Sequence, residues 1–447
     1  MRRSRTGPTG RRAMSIPLAA VAMLAVAVAV AACGGAPASA GPVTLRLQVA
    51  LTPPEMASFQ PAIQALDDAH PEWVIQLEPI PQGSETERIT TELAGGGLPD
   101  VLRIQGSLVQ EWIRRSAFLD LTQRIADAHL DLADFYAGPL DQFRWQDKVW
   151  GLSDTASPEI VFYDKKVLAD AGVEPPTDQW TVDDMRTAAI RLTVDNSGRH
   201  PGDAGFDPAH IERWGWNGGV TYYWQNAWIQ DRGGELCANP DCTTMSFTDP
   251  ADVAAFQWWV DLIQKDHATL YDPYGGSQTG VPGDPFISGK SAMGSNGTFA
   301  IGQLDAAGTI DYGMAAPLRG SDGVRRTPLS SSGYVVAATS THPDQAWALV
   351  QALLDPTFLT KTWGEPGHAV PARRSASGSI PEKGRDAILA AMEVGQVFRP
   401  YTAGAGAAYS QTIDLFTQMN TGTLPIPEAL AQIEAAANAA LAADRTP

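Results

Sequence analysis

The chain has 447 residues, with 42 glycines and 33 prolines, and is 44% hydrophobic and 18% charged. That is globular composition, and the length suits two lobes, because single cores stop growing at roughly 250–300 residues. The formal charge is −18, and the first 32 residues hold five arginines and no acid, so the remainder carries −23. So acidic a body excludes nucleic-acid binding through clustered Lys and Arg, and docking on anionic lipid through a basic face.

Arg2, Arg3, Arg5, Arg11 and Arg12 precede an uncharged Ala/Val-rich run from Leu18 to Ala32. The run is shorter than the roughly 20 residues a membrane span needs. A charged segment, a short apolar run and small residues together read as an export signal over residues 1–32. Its end, Val30-Ala31-Ala32-Cys33-Gly34, resembles a bacterial lipobox. That resemblance implies that Cys33 becomes the acylated N-terminus, anchored by several acyl chains. An incidental Cys in a plain signal is the alternative. Arg11-Arg12 is a looser match to a twin-arginine signal. Residues 33–42 are small and aperiodic, a flexible tether.

The body then alternates strand and helix. Val43 to Val49 reads as a strand, 55–69 as a helix, and Trp73 to Leu77 as a second strand. A helix over 84–94 stops at Gly95-Gly96-Gly97, and Leu98 to Ile104 is a third strand. This order predicts an α/β layer with a largely parallel sheet, whose ligands bind beyond the carboxyl ends of the strands. Helical patterns recur at 108–127, 181–193, 250–266, 343–354, 383–396 and 426–443.

Cys237 and Cys242 lie close in sequence around Asn239-Pro240-Asp241, a turn signal. Outside the cytoplasm such a pair predicts a disulfide closing a small loop. Half a zinc site is the alternative, but the second ligand pair is missing, so no metal and no cofactor are expected. Gly283 to Ser291 imitates a phosphate loop with the wrong glycine spacing, and neither H-E-x-x-H nor G-x-S-x-G occurs. Trp214, Trp216, Tyr222, Tyr223, Trp224 and Trp228 form the densest aromatic cluster. Flat rings with polar edges suit the apolar face and hydroxyl rim of a pyranose, although Trp224 and Trp228 at helical spacing also suit a core.

An ordered set of segments resembles the family 1 extracellular solute-binding proteins, the maltose-binding-protein-like receptors of ABC importers. Leu98-Pro99-Asp100-Val101 matches "LPDV", and Val149-Trp150-Gly151-Leu152 resembles "YGLP" with Ser153 in place of Pro. Val161-Phe162-Tyr163-Asp164-Lys165 resembles "YYNK" with Asp164 in place of Asn, and Ala171-Gly172-Val173 with Pro175, Pro176 and Trp180 resembles "AGV..PP.TW". Phe286 to Met293 matches "F.sGKaAM", while Ala346-Trp347 and Val370 to Arg373 match "AW" and "vPar". The resemblance implies an α/β fold of two lobes with a hinge, the type II periplasmic-binding-protein architecture. One lobe would be 43–152 plus 331–380, the other 153–330 plus 381–447.

It also implies stacking aromatics at Tyr223, beside Trp224, and at Tyr409. A third, in a "GPW" turn, is replaced here by Thr298, with Phe299 as substitute. Polar candidates come from predicted strand-end loops: Glu55 at a helix start, Gln105 and Ser107 after the third strand, and Asp154 and Thr155 after the first crossover. Gly333 and Tyr334 sit beside Ser332 at the second crossover. Arg103, inside an apolar strand, could pair a core acid or face the cleft.

The function implied is a lipid-anchored receptor outside the cytoplasmic membrane. It would be monomeric and without catalysis, and would pass a captured oligosaccharide or small glycoside to ABC permease subunits. A polyol or glycerol-phosphate ester is the alternative ligand. A secreted glycosidase, needing two carboxyls about 5–10 Å apart, is the alternative class.

Overall fold

The computed structural model describes residues 41–218, 226–239, 242–271, 284–397 and 403–443. Strand β1 (Val43–Ala50) buries Leu45, Leu47 and Val49 completely, as alternation dictates. Helix α1 (Pro53–Ala69) begins at a capping box, in which Thr52 caps the Glu55 amide and the Glu55 carboxylate returns to the Thr52 amide. Strand β2 (Trp73–Ile80), helix α2 (Glu85–Ala94) and strand β3 (Val101–Gln105) follow. Strands β2, β1 and β3 pair in parallel, in that order.

The later strands are β4 (Gly151–Asp164), β5 (Val194–Asp195), β6 (Ile211–Asn217), β7 (Ser291–Gly297), β8 (Tyr312–Ala315) and β9 (Thr327–Val336). The main sheet runs β2-β1-β3-β9-β4-β7-β6-β5, with β8 on β4. It is mixed, which corrects the expectation of a largely parallel sheet. β9 runs antiparallel to both β3 and β4, and β4 antiparallel to β7. The cause is connectivity: β4 and β9 are long strands that cross the molecule in opposite directions. β4 pairs with β9 through residues 151–158, then with β7 through residues 159–163.

Separate cores form on either side of this crossing. One gathers Leu45, Leu47, Phe59, Val101, Trp347 and Trp363. The other gathers Trp216, Phe256, Trp259, Phe416, Leu430 and Ile433. This is the two-lobed α/β architecture expected from the sequence.

Two helices are shorter than their apolar spacing suggests. The 108–127 pattern is helix α3 (Gly106–Arg114) and a separate turn of helix, Thr122–Asp127. Between them Phe118 bridges to Ala337 and the Leu119 amide donates to the Val336 carbonyl, a tertiary pairing that periodicity cannot register. The 383–396 pattern ends at Val394, because Gly395–Gln396 joins the sheet beside β9. Conversely, the hydrophobic pattern gives little notice of the helix Ala403–Asn420, which packs on the helix Ile426–Ala443. Cys237 and Cys242 are joined in a disulfide.

Candidate functional site

The carboxyl ends of β1, β2 and β3 open on one cavity of about 400 Å³, within the range of small-molecule sites. Ala50 and Thr52 line it from the end of β1, Gln82 and Glu85 from beyond β2, and Gln105 from the end of β3. Glu55 joins them from the first turn of α1. The floor is the crossing pair, with Thr155, Ala156 and Ser157 on β4 and Ser330 to Ser332 on β9. Phe299 and Gln303 contribute from the segment after β7, and His368 and Ala369 close one side.

The floor holds a buried ion pair. Arg103 Nε donates to Asp154 Oδ2 at 2.6 Å, with the side chains 8% and 0% exposed. Arg103 Nη2 donates to Thr155 Oγ1 at 2.8 Å, and Thr155 Oγ1 donates to Asp154 Oδ1 at 3.1 Å. The guanidinium also lies over the Trp363 ring, 4.4 Å from its centroid. Burial acts to lower the Arg103 pKa, but Asp154 and its neighbours outweigh it and the net shift is upward. Both readings of Arg103 left open by the sequence are therefore realised: it pairs a core acid and borders the cavity.

The acidic wall is less well partnered. Glu55 Oε2 accepts from the Thr52 amide and from Thr52 Oγ1, each at 2.7 Å, and from Gln82 Nε2 at 3.5 Å. Glu85 is only 4% exposed and accepts one long contact, 3.5 Å, from Gln105 Nε2. Across the cavity Phe299 is 55% exposed, unusual for a large apolar ring among the described residues. Gly297 makes room for it, since a Cβ there would lie 2.3 Å from the Phe299 ring.

Of the sequence candidates, Glu55, Gln105, Thr155 and Phe299 line this cavity. Asp154 sits beneath it, fully buried against Arg103. Ser107, on α3, is half-buried and outside the lining. Gly333 lies behind the floor, where a Cβ would stand 2.3 Å from the Leu152 carbonyl oxygen. Tyr334 is wholly buried in the first lobe's core rather than facing the cavity. It shares the phase of Ser330 and Ser332 on β9 but lies further along the strand, where the first lobe's core covers it. Burial pushes its phenol well above the ordinary pKa, and Asp154 adds to the shift. Tyr409 is half-buried against the second lobe's core. Cys33, Tyr223 and Trp224 lie outside the described residues. Trp216 and Trp228 are core, Trp228 stacking on Trp259 at 5.1 Å.

Gln82, Glu85, Ser157, Gln303 and His368 escaped the sequence reading. The rule that places ligands beyond strand ends points equally to the loop after β2, which would have found Gln82 and Glu85. No local signal marks Ser157, Gln303 or His368. Among the described residues no three His, Cys, Asp or Glu side chains gather as a metal site.

The sequence profile described as "Bacterial extracellular solute-binding protein" matches residues 50–357. The chain belongs to this family. Solved structures similar to this solute-binding protein include three at low identity. UspC of Mycobacterium tuberculosis is 23% identical, with a TM-score of 0.74 covering 89% of this chain and 100% of that one. An ABC substrate-binding protein of Listeria monocytogenes, in complex with cycloalternan, is 18% identical, with a TM-score of 0.72 over 89% of this chain and 98% of that one. The GacH receptor of Streptomyces glaucescens, solved unliganded and with acarbose, is 22% identical, with a TM-score of 0.69 over 90% and 99%. The two-lobed fold of this solute-binding protein is the maltose-binding-protein-like one. No helix among the described residues is long and apolar enough to cross a membrane.

Proposed function

We propose that this solute-binding protein captures a carbohydrate in the cavity at the carboxyl ends of β1–β3 and delivers it to an ABC permease. The observation that carries this reading is the lining itself. A half-exposed aromatic ring faces a wall of amides, hydroxyls and carboxylates. Stacking plus a few placed polar groups is the chemistry a pyranose needs. The complexes of GacH with acarbose and of the Listeria protein with cycloalternan support the same class of ligand.

The lobes, 43–152 plus 331–380 and 153–330 plus 381–447, would close about β4 and β9, the strands that run between them. A ligand touching both lobes favours the closed state by its differential affinity. Tyr223, Trp224 and Tyr409 would then add aromatic surface to Phe299. The lipobox-like Val30 to Cys33 supports export and anchoring through Cys33, with residues 34–42 as tether. The permease would read the closed form.

The cavity's charge speaks against the phosphate-ester alternative. Arg103 is engaged by Asp154, while Glu55 and Glu85 face the lumen. The glycosidase alternative needs carboxyls flanking the scissile bond, but both acids come from helix starts on one wall.

A thermal-shift and calorimetry screen of the purified protein tests the reading. The panel is mono- and oligosaccharides, polyols, sugar phosphates and amino acids. A ligand at 100 times its Kd adds about 2.7 kcal/mol to the folded state, so a selective stabilisation by one carbohydrate class is expected. Stabilisation only by sugar phosphates or amino acids would overturn the assignment.

A further inference from the structure

The acidic wall turns two carboxylates, Glu55 and Glu85, toward the ligand space. Glu85 is 4% exposed, lines the cavity, and has only the 3.5 Å contact from Gln105. Glu55 spends one oxygen on Thr52 and Gln82, and its Oε1 has no partner among the described residues. No Lys, Arg or His stands within ion-pairing distance of either carboxylate among the described residues. Glu85 is buried as a residue, but its unshared oxygen stays open to the lumen, where a ligand's donor can reach it. The start of α2 offsets part of the Glu85 charge, but that end is shared with Glu87. The lining's guanidinium, Arg103, is paired with Asp154 and Thr155 and reaches Glu55 only through longer-range attraction.

We propose that the ligand is a cationic carbohydrate, an amino sugar or aminocyclitol, whose protonated amine is held by Glu85 with Glu55 beside it. The inference rests on the carbohydrate reading above and narrows it. An ammonium supplies the charge and the donors that the wall lacks. Exclusion of water on closure strengthens the attraction, because Coulomb energy scales inversely with the effective dielectric. A hydroxyl at the same position offers one donor and no charge. An acetamide adds bulk and removes the charge.

The test uses matched sugars that differ at one substituent. Glucosamine, glucose and N-acetylglucosamine form one set; the chitosan dimer, cellobiose and chitobiose form another; and galactosamine, galactose and N-acetylgalactosamine a third. Calorimetry with the purified protein at about pH 6.5 keeps an aliphatic amine protonated. The amine member of at least one set is expected to bind tenfold or more tighter than its hydroxyl and acetamide partners. Glu85→Gln, which keeps shape and removes charge, should cut that preference below threefold. Glu87→Gln, on the same helix end but outside the lining, should leave it intact, and its melting temperature controls for the helix-end effect. Raising salt should weaken the amine selectively, a readout on the unaltered protein that does not depend on any variant folding. Equal or tighter binding of the hydroxyl or acetamide forms overturns the proposal and leaves carbohydrate capture standing. A preference that survives in folded Glu85→Gln also overturns it. Failure of every sugar to bind overturns both readings.

Discussion

Asp154→Asn isolates the buried ion pair on the cavity floor, because it removes the charge and keeps the volume. Arg103 would then hold its guanidinium, 8% exposed in the native protein, without the anion now 2.6 Å away. The contacts left to it, the new amide oxygen, Thr155 Oγ1 at 2.8 Å and the Trp363 ring at 4.4 Å, carry no net charge. Removing one partner of a buried pair costs about 3–5 kcal/mol. The lower end is expected, since Arg103 borders the cavity and water can reach that side. For cooperative unfolding of about 400 residues, an entropy near 2.1 cal/mol/K per residue turns about 3 kcal/mol into a melting-temperature fall of about 4 °C. A second effect follows from the same change: the guanidinium becomes available to the lumen, so glucose 6-phosphate should gain affinity relative to glucose. Urea unfolding measures the first effect and calorimetry the second. The double variant Arg103→Met with Asp154→Asn should recover at least half the loss, because no unpaired charge remains. A loss below about 1 kcal/mol would refute the reasoning, since it would mean that solvent already screens the pair and that the charge of Arg103 was never withheld from ligand.

Phe299→Ala should lower affinity for the identified sugar by roughly 5–30-fold, about 1–2 kcal/mol, through loss of a stacking face, with little change in melting temperature because the ring is 55% exposed. An unchanged Kd would remove Phe299 from the site. Thr52→Ala breaks the capping box, so about 1 kcal/mol of stability should disappear in urea unfolding, together with sugar affinity as Glu55 loses its tether; loss of neither would show that α1 does not rely on this cap. Glu159 gives a pH signature. Burial raises its carboxyl to about 7, against an opposing hydrogen bond from Ser295. The folded state therefore holds this proton more tightly than the unfolded chain, whose value is near 4.3. The destabilisation from ionising it is absent below about pH 4 and complete above about pH 7. Glu159→Gln should stabilise the protein by about 1–3 kcal/mol at pH 8 and be neutral at pH 4; the same shift at both pH values would contradict the assignment.

Local rules reach far in this chain. Alternation in Val43 to Ala50, helical spacing after Thr52 and the glycines after Ala94 fix the first strands and helices, because each is decided by neighbours within one or two turns. The rule that ligands sit beyond strand ends then places Glu55 and Gln105 at the cavity before any coordinates are known. Patterns fail where a distant partner decides the outcome. The helix after Gly106 stops because Phe118 bridges to Ala337, more than two hundred residues away. Tyr334 is core because the first lobe packs over that stretch of β9. The rings of Trp216 and Trp228 are core because the second lobe closes over them.

The sequence by itself determined the acidic body, the alternating α/β order and the family, all properties of composition or of ordered local motifs. Only the tertiary structure decided that Arg103 is paired with Asp154 while Glu85 is not paired with a cation. The three residues stand far apart in the chain, and whether a charge is satisfied depends on which strand and helix ends the sheet order brings together. The difference between a cavity suited to a phosphate and one suited to an amine therefore lies in packing, where no periodicity records it.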